Sequence, residues 1–152
     1  MLLRAVLAVP DQESLDLMRE LLQAALTLVR HDVQIAHADS RQALLARALA
    51  DQDDVVFLDW ELVGPETPAL VREIVRLNPR LRTVVLLPLH LRQYRQCLWE
   101  AGACSSIPKE YLDQEWLSSV LCLIRRAMDR EARAARLAAS GPPVAEVEAL
   151  LI

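Results

Sequence analysis

Short apolar runs alternate with amphipathic stretches along nearly the whole chain. Leu2 to Val9 reads as a first strand, and Pro10-Asp11-Gln12-Glu13 opens a helix with Leu15, Met18, Leu21, Leu22 and Leu26 on one face. Asp32 to Ala38 alternates through Val33 and Ile35 as a second strand. Asp39-Ser40-Arg41-Gln42 has the form of a capping box for a helix bearing Leu44, Leu45 and Leu49. Val55-Val56-Phe57-Leu58-Asp59 is an apolar strand of the kind buried in parallel sheets. After a loop over Trp60 to Glu66, Thr67-Pro68 supplies an N-cap and a first-turn proline for a helix ending at Asn78-Pro79. Thr83 to Leu87 is a fourth strand, and a helix from about His90 to Ala101 ends at Gly102 in the role of an αL cap. Cys104 to Ile107 is the fifth strand. Asp113 caps a long last helix to about Ala139, where Gly141-Pro142-Pro143 ends it and leaves a short acidic and apolar tail.

Five such strand–helix units predict an α/β fold, a doubly wound five-stranded parallel sheet with helices on both faces. The strand ends then define the chemistry, because open parallel sheets place ligands beyond the carboxyl ends of their strands. Asp59 closes the third strand, Asp11 follows the first and Lys109 follows the last. Two carboxylates and one ammonium converging on one rim suit a divalent cation and a phosphoryl group. Each residue also has a plainer role. Asp11 can cap the first helix, and Lys109 alone is a solvated loop lysine. Asp59 follows a buried strand directly and so needs a partner; an ion pair with Lys109 kept as architecture would be one.

Composition narrows the remaining classes. With 152 residues, 53% of them apolar, the chain can bury the core of one domain. A net charge of −4 gives no electrostatic case for nucleic acid. Cys97, Cys104 and Cys122 form no CxxC pair and read as buried free thiols, and an odd count suits a reducing cytoplasm. The first apolar run is short and meets Asp11 and Glu13 at once, unlike a signal peptide, and no segment approaches membrane-spanning length. With only Gly64, Gly102 and Gly141 there is no GxGxxG or GxxxxGK[ST] loop. Trp60, Trp99 and Trp116 read as core or groove aromatics. His31, His37 and His90 are scattered over different elements, His90 alone lying near the rim. No nucleophile–base pair is visible, so the chain is not expected to be an enzyme with independent turnover.

The joint pattern of Asp11, Asp59 and Lys109 in a five-unit α/β chain resembles the receiver domain of two-component response regulators. The likeness covers roughly Leu2 to Ala127. The small residues around Ala38 and Ala43, and Ala101-Gly102-Ala103 before the fifth strand, belong to it. The resemblance implies a flavodoxin-like sheet in the order 2-1-3-4-5 and a receiver-like domain over residues 1–128, followed by a helical extension and tail over 129–152. It implies that Asp59 accepts the phosphoryl group and that Lys109 pairs with Asp59 and then with the phosphoryl oxygens. Mg²⁺ would be held by Asp11, Asp59 and the backbone carbonyl of Glu61. The donor would be a sensor histidine kinase, a phosphotransfer protein or a small acyl phosphate. Signalling would pass to a downstream protein, or to a second copy, through the fourth helix, fifth strand and fifth helix.

The chain departs from that family pattern at three positions. Pro10 replaces the first of two acidic residues after strand one. Pro88 replaces a Ser or Thr at the end of strand four, and offers neither hydroxyl nor N–H. Ser106 replaces an aromatic on strand five. The implied reading is therefore an atypical receiver, with a non-phosphorylated pseudo-receiver serving as a binding or dimerisation module as its alternative. On the last helix, Leu117, Val120, Leu121, Ile124 and Met128 form an apolar stripe expected to face the sheet. Arg125, Arg126, Arg130, Arg133 and Arg136 alternate with alanines, as a solvated extension or as a connecting or dimerising arm.

Overall fold

The computed structural model describes residues 2–29 and 32–140 and divides into two compact units, Met1–Ser118 and Ser119–Ile152. The expected Gly141-Pro142-Pro143 stop and acidic tail lie outside the described residues.

In the first unit, β1 (Leu2–Ala8), β2 (Asp32–Ala38), β3 (Val55–Asp59), β4 (Arg82–Leu87) and β5 (Ser105–Pro108) form one sheet in the order β2-β1-β3-β4-β5. Every pairing is parallel. The helices are α1 (Gln12–Val29), α2 (Arg41–Ala50), α3 (Thr67–Leu77), α4 (Arg95–Ala101) and α5 (Gln114–Ala139). This is the doubly wound parallel sheet expected from the alternation of apolar runs.

Side chains alternate across the strands, so each strand feeds two cores. One face carries Val6, Ala8, Val56, Leu58, Val85 and Leu87, and clusters with Leu44 and Ala48 of α2, Leu70 and Ile74 of α3 and Leu98 of α4. All five residues of β3 are buried, which is why its sequence is continuously apolar and not alternating. Thr83 on β4 is the discordant residue: it is 1% exposed and its hydroxyl has no hydrogen-bond partner among the described residues.

Several local expectations need correction. The start of α2 is not a capping box. Ser40 is the N-cap and accepts from the N–H of Ala43, so the third helical position holds an alanine with no side-chain oxygen to reach back. Leu49 is 65% exposed, and Ala48 takes the inward position beside Leu44. Thr67 is not the cap of α3. It is already helical, and its hydroxyl donates backward to the carbonyl of Gly64 at 2.6 Å. The helix expected from His90 begins as a 3₁₀ segment, Leu89–Tyr94, with Leu91 off helical geometry, and becomes α-helical only at Arg95.

Gly102 fulfils its expected role for two reasons. Its φ is +112°, and a Cβ there would stand 2.7 Å from Cγ2 of Val75 on α3. The turn needs the left-handed backbone, and the packing leaves no space for a side chain.

The free thiols are not buried as expected: Cys104 is exposed, and Cys97 and Cys122 are intermediate. Trp60 is a core residue at 5% exposure, whereas Trp99 and Trp116 are 65% and 38% exposed. On α5, the N–H of Trp116 donates to Asp113, the expected cap. Leu117, Val120, Leu121 and Ile124 are buried, Met128 is intermediate, and the helix is exposed throughout from residue 130. Among the described residues no helix is long and apolar enough to cross a membrane.

Candidate functional site

Strand order places the site. Asp59 ends β3 at the carboxyl rim of the sheet, opposite Leu86 on β4. Lys109 begins the 3₁₀ turn Lys109–Tyr111 directly after β5, two strands from β3. Two strand spacings amount to roughly 10 Å, so the lysine stem must extend over the end of β4 to reach Asp59. It does: Nζ donates to Oδ1 at 3.0 Å and to Oδ2 at 3.2 Å. The Asp59 side chain is 4% exposed and that of Lys109 32% exposed. A buried carboxylate is thereby neutralised by an ammonium that still touches solvent. Burying that charge alone would be costly.

Asp59 has a second task. Its Oδ1 also accepts from the backbone N–H of Glu61 at 2.9 Å, capping the 3₁₀ turn Trp60–Leu62. That turn seats Trp60 in the core, its ring centroid 4.8 Å from that of Tyr94. Oδ1 therefore carries two donors and Oδ2 one, the longer of the two lysine contacts.

Asp11 stands at the exposed start of α1, where its Oδ1 accepts from the N–H of Ser14 at 2.7 Å. The capping role is thus real. The Ser14 N–H is also the main reason its pKa lies below the ordinary aspartate value, with a smaller contribution from the positive charge of Lys109. That electrostatic link puts Asp11 in the neighbourhood of the Asp59–Lys109 pair, although no direct bond joins them among the described residues.

The donor set can be tested against the implied metal. Among the described residues no group of three His, Cys, Asp or Glu side chains is arranged to hold an ion, so a site made wholly of protein side chains is not present. Mg²⁺ asks for less: it commonly uses one or two carboxylates, keeps several waters and takes oxygens from a phosphate. Asp11 and Asp59 meet that minimum, with the Glu61 carbonyl in the adjoining turn. Pro10, half-buried beside Asp11, supplies no further ligand.

Glu110 was not among the residues singled out from the sequence. Its Oε2 accepts from the N–H of Leu89 at 2.8 Å, tying the turn after β5 to the turn after β4. Its pKa is lowered chiefly by its own backbone N–H and that of Leu89. The only signal available in advance was its place beside Lys109. Pro88, at the start of that tied turn, is buried, and Ser106 on β5 is intermediate. Neither adds a donor at the Asp59 carboxylate among the described residues. His90 is exposed and lies near Glu110. His37 lies elsewhere, its Nε2 3.0 Å from the carbonyl of Val9.

A buried aspartate at the end of the third strand, paired with a lysine after the fifth, in a sheet of order 2-1-3-4-5, defines a class of fold. The chain is similar to a CheY-like response-regulator receiver domain protein from Methanospirillum hungatei, with a TM-score of 0.63 and 19% identity over 88% of this chain and 99% of that one. It is similar also to the receiver domain of a sensor histidine kinase from Pseudomonas aeruginosa with a magnesium ion in its active-site cleft. There the TM-score is 0.63 and the identity 14%, over 80% and 95% of the two chains. A CheY-like protein (tadZ) from the same organism matches with a TM-score of 0.59 and 21% identity over 80% and 98%. No family model and no curated protein matches the sequence. The chain has the flavodoxin-like fold of response-regulator receiver domains.

Proposed function

We propose that this protein is an atypical receiver in two-component or phosphorelay signalling, phosphorylated on Asp59 and acting by contact with other proteins. The observation that carries the reading is the Asp59–Lys109 pair, a buried carboxylate held by a partly solvated ammonium at the ligand rim of the sheet.

The chemistry follows from the hydrogen bonds. Oδ2 of Asp59, with a single donor, is the better nucleophile and attacks the phosphorus of a phosphohistidine or small acyl phosphate. An Oδ2–P bond forms while the bond from phosphorus to the leaving imidazole nitrogen or carboxylate oxygen breaks, its electron pair departing with the leaving group. Oδ1 stays anchored by the Glu61 N–H and keeps the carboxylate aligned. The Lys109 ammonium moves from the carboxylate to the phosphoryl oxygens, where charge develops. Asp11, Asp59 and the Glu61 carbonyl would hold Mg²⁺, which supplies charge neutralisation for in-line transfer. The cognate donor belongs to the histidine-kinase or phosphotransfer class. The protein itself has no independent turnover beyond this self-phosphorylation, and its expected place is the cytoplasm.

Intact-mass measurement after incubation with Mg²⁺ and acetyl phosphate tests the reading. One phosphoryl adduct is expected on the wild type and none on Asp59→Asn.

A second reading is favoured by Pro88 and Ser106, which remove the hydroxyl and the aromatic from the two positions the resemblance assigns to a switch. The protein would then be a pseudo-receiver whose Asp59–Lys109 pair is architectural. Absence of the adduct, together with unchanged Trp fluorescence on adding beryllofluoride, would select it.

A further inference from the structure

The face of β1 and β2 that turns toward α2 changes chemistry along its length. Ala8 lies opposite Ala38, Val6 opposite Ala36 and Arg4 opposite Gln34. The first two pairs join the core beneath Leu44 and Ala48 of α2. Strand alternation puts the third pair on the same face, yet both of its residues are polar. The helix above them stops at Ala50, where Asp51 takes the left-handed conformation. Beside that end is a cavity of about 410 Å³, lined by Arg4, Gln34 and Ala36 of the strands and by Arg47, Gln52 and Asp53 of α2 and its connection to β3. Asp53 precedes β3 and Asp59 closes it, so the cavity belongs to the opposite end of the sheet from the Asp59–Lys109 pair.

The hydrogen bonds already made around the cavity decide what it would take. Both oxygens of Asp53 accept from Arg47, from Nε and Nη2 at 2.9 Å each. The one carboxylate in the lining is therefore neutralised, and Nη1 of Arg47 is left over. Arg4 is less committed. Its backbone N–H donates to Asp54 at 2.8 Å, but its Nε stands 3.7 Å from the same carboxylate, beyond hydrogen-bonding distance. Its guanidinium donates no hydrogen bond among the described residues, and the exposed carboxamides of Gln34 and Gln52 have no partner there either. The lining thus sets two guanidiniums against one carboxylate and holds more free N–H donors than free acceptors. A metal cation finds no free carboxylate in such a lining, and a neutral polyol leaves its charge unanswered. A guanidinium with its fork free matches a carboxylate or a phosphate bidentately. The volume falls in the range of small-molecule sites and exceeds what a bare ion fills. A carbon frame fits the remainder, against Ile35 and Ala36.

We propose that this cavity binds a small organic oxyanion, a carboxylate or a phosphate monoester, on the guanidinium of Arg4, with Nη1 of Arg47 and the carboxamides of Gln34 and Gln52 as further donors. The Arg47–Asp53 pair stays intact as a fixed wall of the site. Nothing in this depends on phosphorylation of Asp59, so the site stands or falls separately from the receiver reading.

Isothermal titration calorimetry on the full chain without Mg²⁺ tests it, with glycerol 3-phosphate and succinate as probes and inorganic phosphate and glycerol as controls. At least one of the two organic oxyanions is expected to saturate a single site, more tightly at low salt, and the tighter of them identifies the charged group. The amide resonances of Gln34, Ile35, Ala36 and Gln52 are expected to shift with the same titration midpoint. Gln34→Glu sets a carboxylate beside Arg4 and is expected to weaken binding on the order of tenfold or more; Arg4→Gln is expected to weaken it at least as much. Gln34 is exposed and makes no bond that the fold needs, so its variant keeps the test valid even where Arg4→Gln unfolds. No saturation by either organic oxyanion up to about 10 mM would overturn the proposal. So would equal binding of glycerol, equal binding by Gln34→Glu, or resonance shifts centred on Asp59 and Lys109 instead. Inorganic phosphate binding as tightly as both organic probes would mean an adventitious ion only, and would overturn it as well.

Discussion

Strand β3 has a buried carboxylate at each end, and in burial and distance the two are nearly twins. Asp53, two residues before the strand, has a side chain 4% exposed and is held by Arg47, itself 34% exposed, through two bonds of 2.9 Å. Asp59, the last residue of the strand, has a side chain 4% exposed and is held by Lys109, 32% exposed, at 3.0 and 3.2 Å. They differ in the cation and in the end of the sheet. The guanidinium of Arg47 is a planar fork that engages one oxygen with each arm, and its pKa is raised by that bond. It cannot move toward one oxygen without losing the other bond. The ammonium of Lys109 is a point charge on a flexible stem and can shift from oxygen to oxygen. Asp53 sits at the amino end of its strand, where parallel sheets seldom bind ligands, and Asp59 at the carboxyl end, where they commonly do. One pair is built to stay and the other to be rearranged.

The sharpest way to break the comparison is to neutralise each acid in turn. In Asp53→Asn the amide nitrogen faces guanidinium donors in a geometry that cannot relax. The expected loss is about 2–3 kcal/mol, below the 3–5 typical of a fully buried pair because a third of Arg47 is exposed. In Asp59→Asn the carbonyl still accepts from Glu61 and Lys109 can turn to water, so the expected loss is under about 1 kcal/mol. Urea unfolding of both variants measures the difference, and equal losses would mean the two pairs are the same kind of structure.

A smaller effect sharpens the chemical side. Pro88→Ser returns a hydroxyl and an N–H to the end of β4, over which Lys109 passes. It is expected to speed phosphorylation from acetyl phosphate about tenfold, the value of one hydrogen bond to a charged group in the transition state. The rate of adduct formation by intact mass reads it directly; an unchanged rate would mean that the turn after β4 lies out of reach of the phosphoryl group.

The smallest effect concerns the tie between the turns. Glu110 has a folded pKa below the ordinary glutamate value, owing first to its own backbone N–H and then to that of Leu89. Its contribution is therefore fully present above the ordinary value and is lost as pH falls through the lower folded one. The Leu89 amide resonance should titrate across that acidic window in the wild type and stay flat in Glu110→Gln.

How much of this was legible in the sequence depended on whether neighbours along the chain or across it set the outcome. Val55 to Asp59 was legible because a strand buried on both faces has no polar position to spare. Gly102 was legible because a backbone demand writes itself as one residue. Asp59 with Lys109 was legible as a pair because both follow strands, and strand ends meet at a rim. The bond from Glu110 to Leu89 crosses 21 positions and has no periodicity to announce it. The exposure of Trp99 was hidden for a related reason. The 3₁₀ start of α4 shortens the helix to Arg95–Ala101, leaving Leu98 and Ala101 to fill its buried face and turning the indole outward. Thr67 misled because threonine before proline has the composition of a cap, while Gly64 offered its hydroxyl an acceptor one turn earlier.

Thr83 has a consequence for anyone who wants to engineer this protein. A hydroxyl 1% exposed and without a partner among the described residues is a desolvation penalty with no return. Valine has nearly the same shape and favours a strand equally. Thr83→Val is expected to raise stability by roughly 1 kcal/mol without touching the rim. It would furnish a sturdier parent chain, with headroom to tolerate the most damaging substitutions at either end of β3 and still be purified and assayed.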